Sequence, residues 1–187
     1  MKNKDQVLCK MSFERLQKGN ELFVTSNCSM GDISIEKRKS TFIKGQKPYA
    51  VIISYSDSKV MPESIFSAGI GELFVIRVVG NVVDQTVLAS TEYAISNLNA
   101  PLVVVLVHTG CGAINSAINR NATGLIKTTV DKIIQAIGDE KDDYAATKMN
   151  VAVGVNAVRR LFNERKLTAE VKGTIYFVDT GKVEFMN

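Results

Sequence analysis

Four short apolar runs, which alternate along much of the chain with longer segments of helical periodicity, constrain the fold of this chain most. The runs are rich in β-branched residues and end in turn-forming residues, which is typical of strands covered on both faces. They lie at residues 49–54, 73–79, 102–107 and 173–178. Strands that alternate with helices predict an α/β fold with a mainly parallel central β-sheet flanked by helices.

The helical pattern consists of apolar residues that recur every three or four positions. It occurs at residues 13–24, 87–98, 126–137 and 151–162. The charged stretch 139–148 is predicted to be a solvated connection, and residues 26–45 give no clear pattern. A chain of 187 residues is long enough for one sizeable core. We therefore predict a single domain over 1–187, with an N-terminal helical arm (1–45) and an α/β core (46–187).

Composition excludes several classes of function. The net charge is only +4 and the 23 basic residues are spread along the chain, so no nucleic-acid surface is predicted. The longest apolar run, 101–107, is too short to cross a bilayer, and no secretory signal is recognised near Met1. We therefore expect a cytoplasmic protein without a membrane partner. Three widely spaced cysteines indicate reduced thiols and no disulfide framework.

Two strand ends carry polar residues that could perform chemistry. Ligands of open α/β sheets collect beyond the carboxyl ends of the strands. Asp57 follows the first predicted strand, and His108 and Cys111 follow the third. Imidazole and thiolate at this spacing can share a zinc ion. From these residues alone, an ordinary hydrogen-bonded histidine and a turn-capping aspartate are the favoured interpretations.

The surrounding segments resemble the β-class carbonic anhydrases. That family has C-x-D-x-R after one strand and H-x-x-C after a later one, and this chain has YSDSK at 55–59, RVVGN at 77–81 and HTGCGA at 108–113. The likeness extends, in the same order, to four flanking segments: 16–24, 45–50, 61–66 and 179–185. It therefore covers nearly the whole chain and implies the β-carbonic anhydrase fold.

The resemblance also implies a site and a reaction. The family reaction is the reversible hydration of CO2 to bicarbonate by one zinc ion per subunit, which two cysteines and a histidine hold beside an Asp–Arg pair. His108 and Cys111 match two of the zinc ligands, and Asp57 matches the aspartate. Tyr55 stands where the family has its first cysteine, and Lys59 stands where it has arginine. Three further residues are predicted to line the pocket: Gly80, Asn81 and Gly112.

The two departures from the family pattern predict an impaired site. A phenol with a pKa near 10 is a poor replacement for a thiolate, and lysine lacks the planar two-pronged grip of arginine on a carboxylate. One zinc site remains sensible, formed by Asp57, His108, Cys111 and a water, with Asp57 and Lys59 as the catalytic pair. The sequence therefore predicts weak or lost CO2 hydration. The alternatives are a non-catalytic pseudoenzyme that acts as a binding or structural module, and hydrolysis of a related substrate such as carbon disulfide.

Two further expectations concern partners and the remaining thiols. The family's N-terminal helix packs on a neighbouring subunit, so the resemblance implies a homodimer or a higher homo-oligomer. Cys9 and Cys28 are interpreted as plain thiols, and the other possibility is that one of them approaches the site from a partner subunit.

Overall fold

The computed structural model describes residues 3–26 and 31–186, and it contains one five-stranded sheet. The strands are β1 (Ala50–Tyr55), β2 (Leu73–Val78), β3 (Leu102–His108), β4 (Glu170–Tyr176) and β5 (Val183–Phe185). Their order across the sheet is β2-β1-β3-β4-β5. The first four are parallel, and β5 pairs antiparallel with β4. The predicted fold class, a mainly parallel sheet flanked by helices, is confirmed.

Seven α-helices flank this sheet in the described part of the chain. They are α1 (Asn3–Thr25), α2 (Ile35–Lys44), α3 (Pro62–Ile65), α4 (Gln85–Leu98), α5 (Gly112–Asn119), α6 (Lys127–Ile137) and α7 (Asp143–Arg165). Short 3-10 turns occur at Val79–Asn81 and Gly124–Ile126. None of the described helices combines the length and the apolar character that a membrane span requires.

The sheet is buried most completely at its centre. Every residue of β1 and of β3 is buried, as the continuous apolar runs in the sequence require of strands covered on both faces. The two strands are neighbours, with Val51 opposite Val103 and Ile53 opposite Val105. Because they run parallel, their carboxyl ends open at the same edge of the sheet, and the residues that follow them meet there.

The interpretation of residues 139–148 as a connection is wrong for most of that stretch, because helix α7 begins at Asp143. Only the residues before Asp143 connect two elements. The side chain of Asp142 accepts a hydrogen bond from the backbone N–H of Ala145 and caps the helix, which begins at Asp143. Ala146 and Thr147 are then buried against the core. The capping carboxylate and the two small buried residues thus stabilise a helix in a segment that was predicted to be solvated because of its charged residues.

Helix α2 lies in the predicted N-terminal helical arm, within residues 26–45, where no clear periodic pattern was found. Ser34 caps it by accepting a hydrogen bond from the Lys37 N–H. None of its residues is buried in the described chain. Phe42 and Ile43 are 91% and 77% exposed, so α2 presents an apolar face that the described residues do not cover.

Helix α1 is longer than the predicted 13–24 and is bound to its own chain. Asn20 donates from Nδ2 to the carbonyl oxygens of Ile65 (3.2 Å) and Gly181 (2.8 Å), and its Oδ1 accepts from the N–H of Val183 (2.9 Å). Position 19 must be glycine, because a Cβ there would lie 2.0 Å from the carbonyl oxygen of Phe66. This helix is therefore fastened to α3 and to the β4–β5 hairpin.

Candidate active site

Tyr55 and His108 meet where β1 and β3 end. Both side chains are buried, and the two rings pack edge-to-face with centroids 4.5 Å apart and an interplanar angle of 84°. The contact follows from the register, because Tyr55 is the last residue of β1 and His108 is the last residue of β3. The strand ends that the sequence singled out thus lie side by side.

His108 presents an unpartnered nitrogen toward this site. Its Nδ1 lies 2.9 Å from the carbonyl oxygen of Thr109, so a proton on Nδ1 donates to that carbonyl and leaves a lone pair on Nε2. Nε2 is buried and has no hydrogen-bond partner among the described residues. Burial lowers the pKa of His108 below its ordinary value of 6.5. The imidazole is therefore neutral near pH 7.

Asp57 and Lys59 form an ion pair at the mouth of the site. The carboxylate accepts the Lys59 N–H at 2.9 Å and lies 3.3 Å from the Lys59 ammonium. The backbone hydrogen bond from Lys59 is the main cause that lowers the pKa of Asp57. The second carboxylate oxygen lies 3.7 Å from His108 Nε2. Lys59 is therefore the ion-pair partner of Asp57.

Tyr55 brings a neutral phenol into the space beside His108 and Cys111. Only 2% of the residue is exposed, and its hydroxyl has no hydrogen-bond partner of ordinary geometry in the described chain. Burial raises its pKa well above 10, the neighbouring thiol of Cys111 raises it further, and Asn150 lowers it. Burial also raises the pKa of Cys111 above its ordinary value. The three potential donors (phenol, thiol and imidazole) are all uncharged at neutral pH.

This arrangement does not fit a zinc ion as it stands. Across residues 3–26 and 31–186, no three His, Cys, Asp or Glu side chains come together in a group that could hold a metal. Catalytic zinc needs three firm protein donors and an open position. The predicted donors Asp57, His108 and Cys111 lie at one edge of the sheet, but the Tyr55 ring packs against His108. The ligand set from the sequence stays a prediction.

The three predicted pocket residues occupy backbone positions around this edge. Gly80 has φ +71°, and a Cβ there would lie 2.9 Å from the Ile133 side chain. Asn81 is buried and donates from Nδ2 to the carbonyl oxygens of Leu106 (3.1 Å) and Ile53 (3.4 Å). Asn81 therefore ties β1 to β3 below the site. Gly112 is the first residue of α5, with open space around it.

Two residues at the site were not singled out in the sequence. Arg77 donates from Nε to the carbonyl oxygen of Tyr55 (2.8 Å) and from Nη2 to that of Asp57 (2.9 Å), so it clamps the turn that follows β1. Asn150 is buried on α7 and donates to the carbonyl oxygen of Gly80 at 3.2 Å. A signal for Asn150 existed, because it is a polar residue on the buried face of an otherwise apolar helical stripe.

Cys9 does not join this cluster. Cys9 is buried near Glu170, the first residue of β4. The amino ends of the parallel strands lie at the opposite edge of the sheet from His108. Burial raises the pKa of Cys9 to about 12, so it is an inert protonated thiol at neutral pH. Cys28 lies outside the described residues.

The fold and the polar residues at the strand ends define an α/β protein with a buried site at the carboxyl edge of a parallel sheet. The sequence family model described as carbonic anhydrase matches residues 50–183. The chain therefore belongs to the carbonic anhydrase family, and its fold is similar to that of solved β-carbonic anhydrases.

Individual relatives agree with this assignment. A carbonic anhydrase of Mycolicibacterium smegmatis is 31% identical over 188 residues, which cover 92% of this chain and 91% of that protein. Carbonic anhydrase 2 of Mycobacterium tuberculosis is 45% identical over 107 residues, and the match spans only 51% of its length and 57% of this chain. The Coccomyxa β-carbonic anhydrase, solved in complex with acetazolamide, superposes with a TM-score of 0.69 at 24% identity and covers 81% of this chain and 78% of its own.

Proposed function

We propose that this chain is a β-carbonic anhydrase relative in which the zinc-dependent hydration of CO2 is weak or lost. The observation that supports the proposal is the placement of Tyr55, whose ring packs on His108 and whose hydroxyl neighbours Cys111. These are the two residues that match family zinc ligands. A neutral phenol beside them takes the place of the thiolate that the family supplies.

The energetic argument concerns the charge on the donors. Zinc bound to a protein lowers the pKa of its water to near 7 and so supplies hydroxide at neutral pH. It requires deprotonated thiolate ligands, and its binding releases their protons. Here burial keeps both Tyr55 and Cys111 protonated. Ionising the phenol in this setting would cost the free energy that its raised pKa represents.

A non-catalytic role as a binding or structural module is the alternative. The observation that favours it is the extent of burial, because Tyr55 is among the largest fully buried side chains of the core. In this role Tyr55 seals the family's metal position and stabilises the sheet edge. The two roles differ in one measurable property, since only the enzyme turns over CO2.

Metal analysis combined with stopped-flow CO2 hydration tests the proposal. The wild-type protein, purified with zinc present, is expected to hold well under one zinc per chain and to react near the uncatalysed rate. The double variant Tyr55→Cys/Lys59→Arg is expected to bind about one zinc per chain. The matched control is Tyr144→Cys/Lys148→Arg on α7, where exposed Tyr144 and half-buried Lys148 lie away from the site and the Lys148 ammonium is 5.2 Å from the ring of Tyr144.

Each outcome has a defined meaning. Stoichiometric zinc and rapid turnover in the wild type would contradict the proposal. Zinc in the double variant, but not in the control, would locate the defect at positions 55 and 59. If the double variant also refuses zinc, the loss lies elsewhere in the site and the argument from Tyr55 is wrong.

We also propose that the chain forms a homodimer or a larger homo-oligomer in the cytoplasm. The uncovered apolar face of α2, with Phe42 and Ile43, supports this, and one set of related β-carbonic anhydrases, from Sordaria macrospora, is described as tetrameric. Light scattering of Phe42→Glu tests the assembly. The charge is expected to shift the protein toward the monomer, whereas Lys44→Glu at the exposed end of α2 is expected to change it little.

A further inference from the structure

We draw no further inference here: the strongest candidate, the outward apolar face of helix α2 that includes Ile35, Phe42 and Ile43, already supports the homo-oligomer proposed above, and nothing in the described residues shows which surface covers it.

Discussion

The ends of β1 and β3 lie side by side and differ in what they keep of the family's site. The β3 end has the histidine and the cysteine of the H-x-x-C motif, and His108 Nε2 has no hydrogen-bond partner in the described part of the chain. At the β1 end, Tyr55 and Lys59 stand where the resemblance implies a cysteine and an arginine. One of two adjacent loops therefore matches the family motif and the other departs from it.

Side-chain hydrogen bonds hold the backbone at both ends. Arg77 clamps the turn after β1, and Asn81 joins carbonyl groups of the two strands. The side chains that depart from the family motif therefore project from a backbone that other residues of the chain hold in place. The sheet itself depends on its buried apolar strands, so its fold does not require a metal.

The largest expected effect is a change in zinc content, which should differ between variants at positions 55 and 59. Tyr55→Cys alone is expected to raise zinc content from well under one to about one ion per chain, because it completes a three-donor set at the metal position. Lys59→Arg alone is expected to leave the zinc content unchanged, since arginine does not bind zinc. Elemental analysis after dialysis measures both. Adding Cys111→Ser to Tyr55→Cys should remove the gain; zinc that persists would mean that the β3 end is not the partner.

The next effect concerns the framework that both ends share. Arg77→Met is expected to lower the free energy of unfolding by about 2 kcal/mol, because two hydrogen bonds from a charged group to backbone carbonyls are lost. Urea denaturation measures this. Arg159→Met, an exposed arginine without a described hydrogen bond or salt bridge, is the control and is expected to change stability little. Equal effects of the two variants would show that the clamp does not hold the β1 end.

The third expected effect is a pH dependence of stability that arises from His108 at the β3 end. The pKa of His108 is lowered by burial, so between that value and 6.5 the unfolded chain binds a proton that the folded chain does not. Stability therefore falls as the pH drops below about 6.5, by up to about 1.4 kcal/mol per pH unit. Because His108 is the single histidine, His108→Gln should flatten this slope. Urea titrations between pH 5 and pH 6.5 test it, and identical slopes would contradict it.

The smallest effect has the opposite sign. Tyr55→Phe keeps the ring and removes a buried hydroxyl without a described partner, so it is expected to raise stability by about 1 kcal/mol. Tyr144→Phe is the control, because that exposed hydroxyl lies 2.9 Å from Glu184 and its loss should slightly lower stability. A loss of stability in Tyr55→Phe would mean that the hydroxyl is satisfied by a group outside the described chain.

Much of the fold could be predicted because burial leaves a direct mark on the sequence. The fully buried strands β1 and β3 coincide closely with continuous apolar runs, and α6 matches its predicted stripe. Strand β4 begins at Glu170, three residues before the predicted start. The charged residues Glu170 and Lys172 interrupt the apolar run there, although Val171 between them is buried. Helix α2 was missed because none of its residues packs on the described chain.

The sequence could place the candidate residues at one edge of the sheet but could not give their geometry. Motif positions identify Asp57, His108 and Cys111, and the strand order explains why they lie at one edge. The direction of the Tyr55 ring depends on the packing of β1 against β3, which no local pattern encodes. Arg77 donates to backbone carbonyl oxygens. Every residue has such a carbonyl group, so the sequence does not show which residues Arg77 binds.

The bonds of Asn20 have a consequence for the order in which parts of the molecule can dock during synthesis. Two of its three partners, Gly181 and Val183, lie 161 and 163 residues further along the chain. Helix α1 is therefore translated well before these attachments can form. A nascent or truncated chain that lacks the β4–β5 hairpin presents α1 incompletely docked, which exposes it to chaperones and proteases.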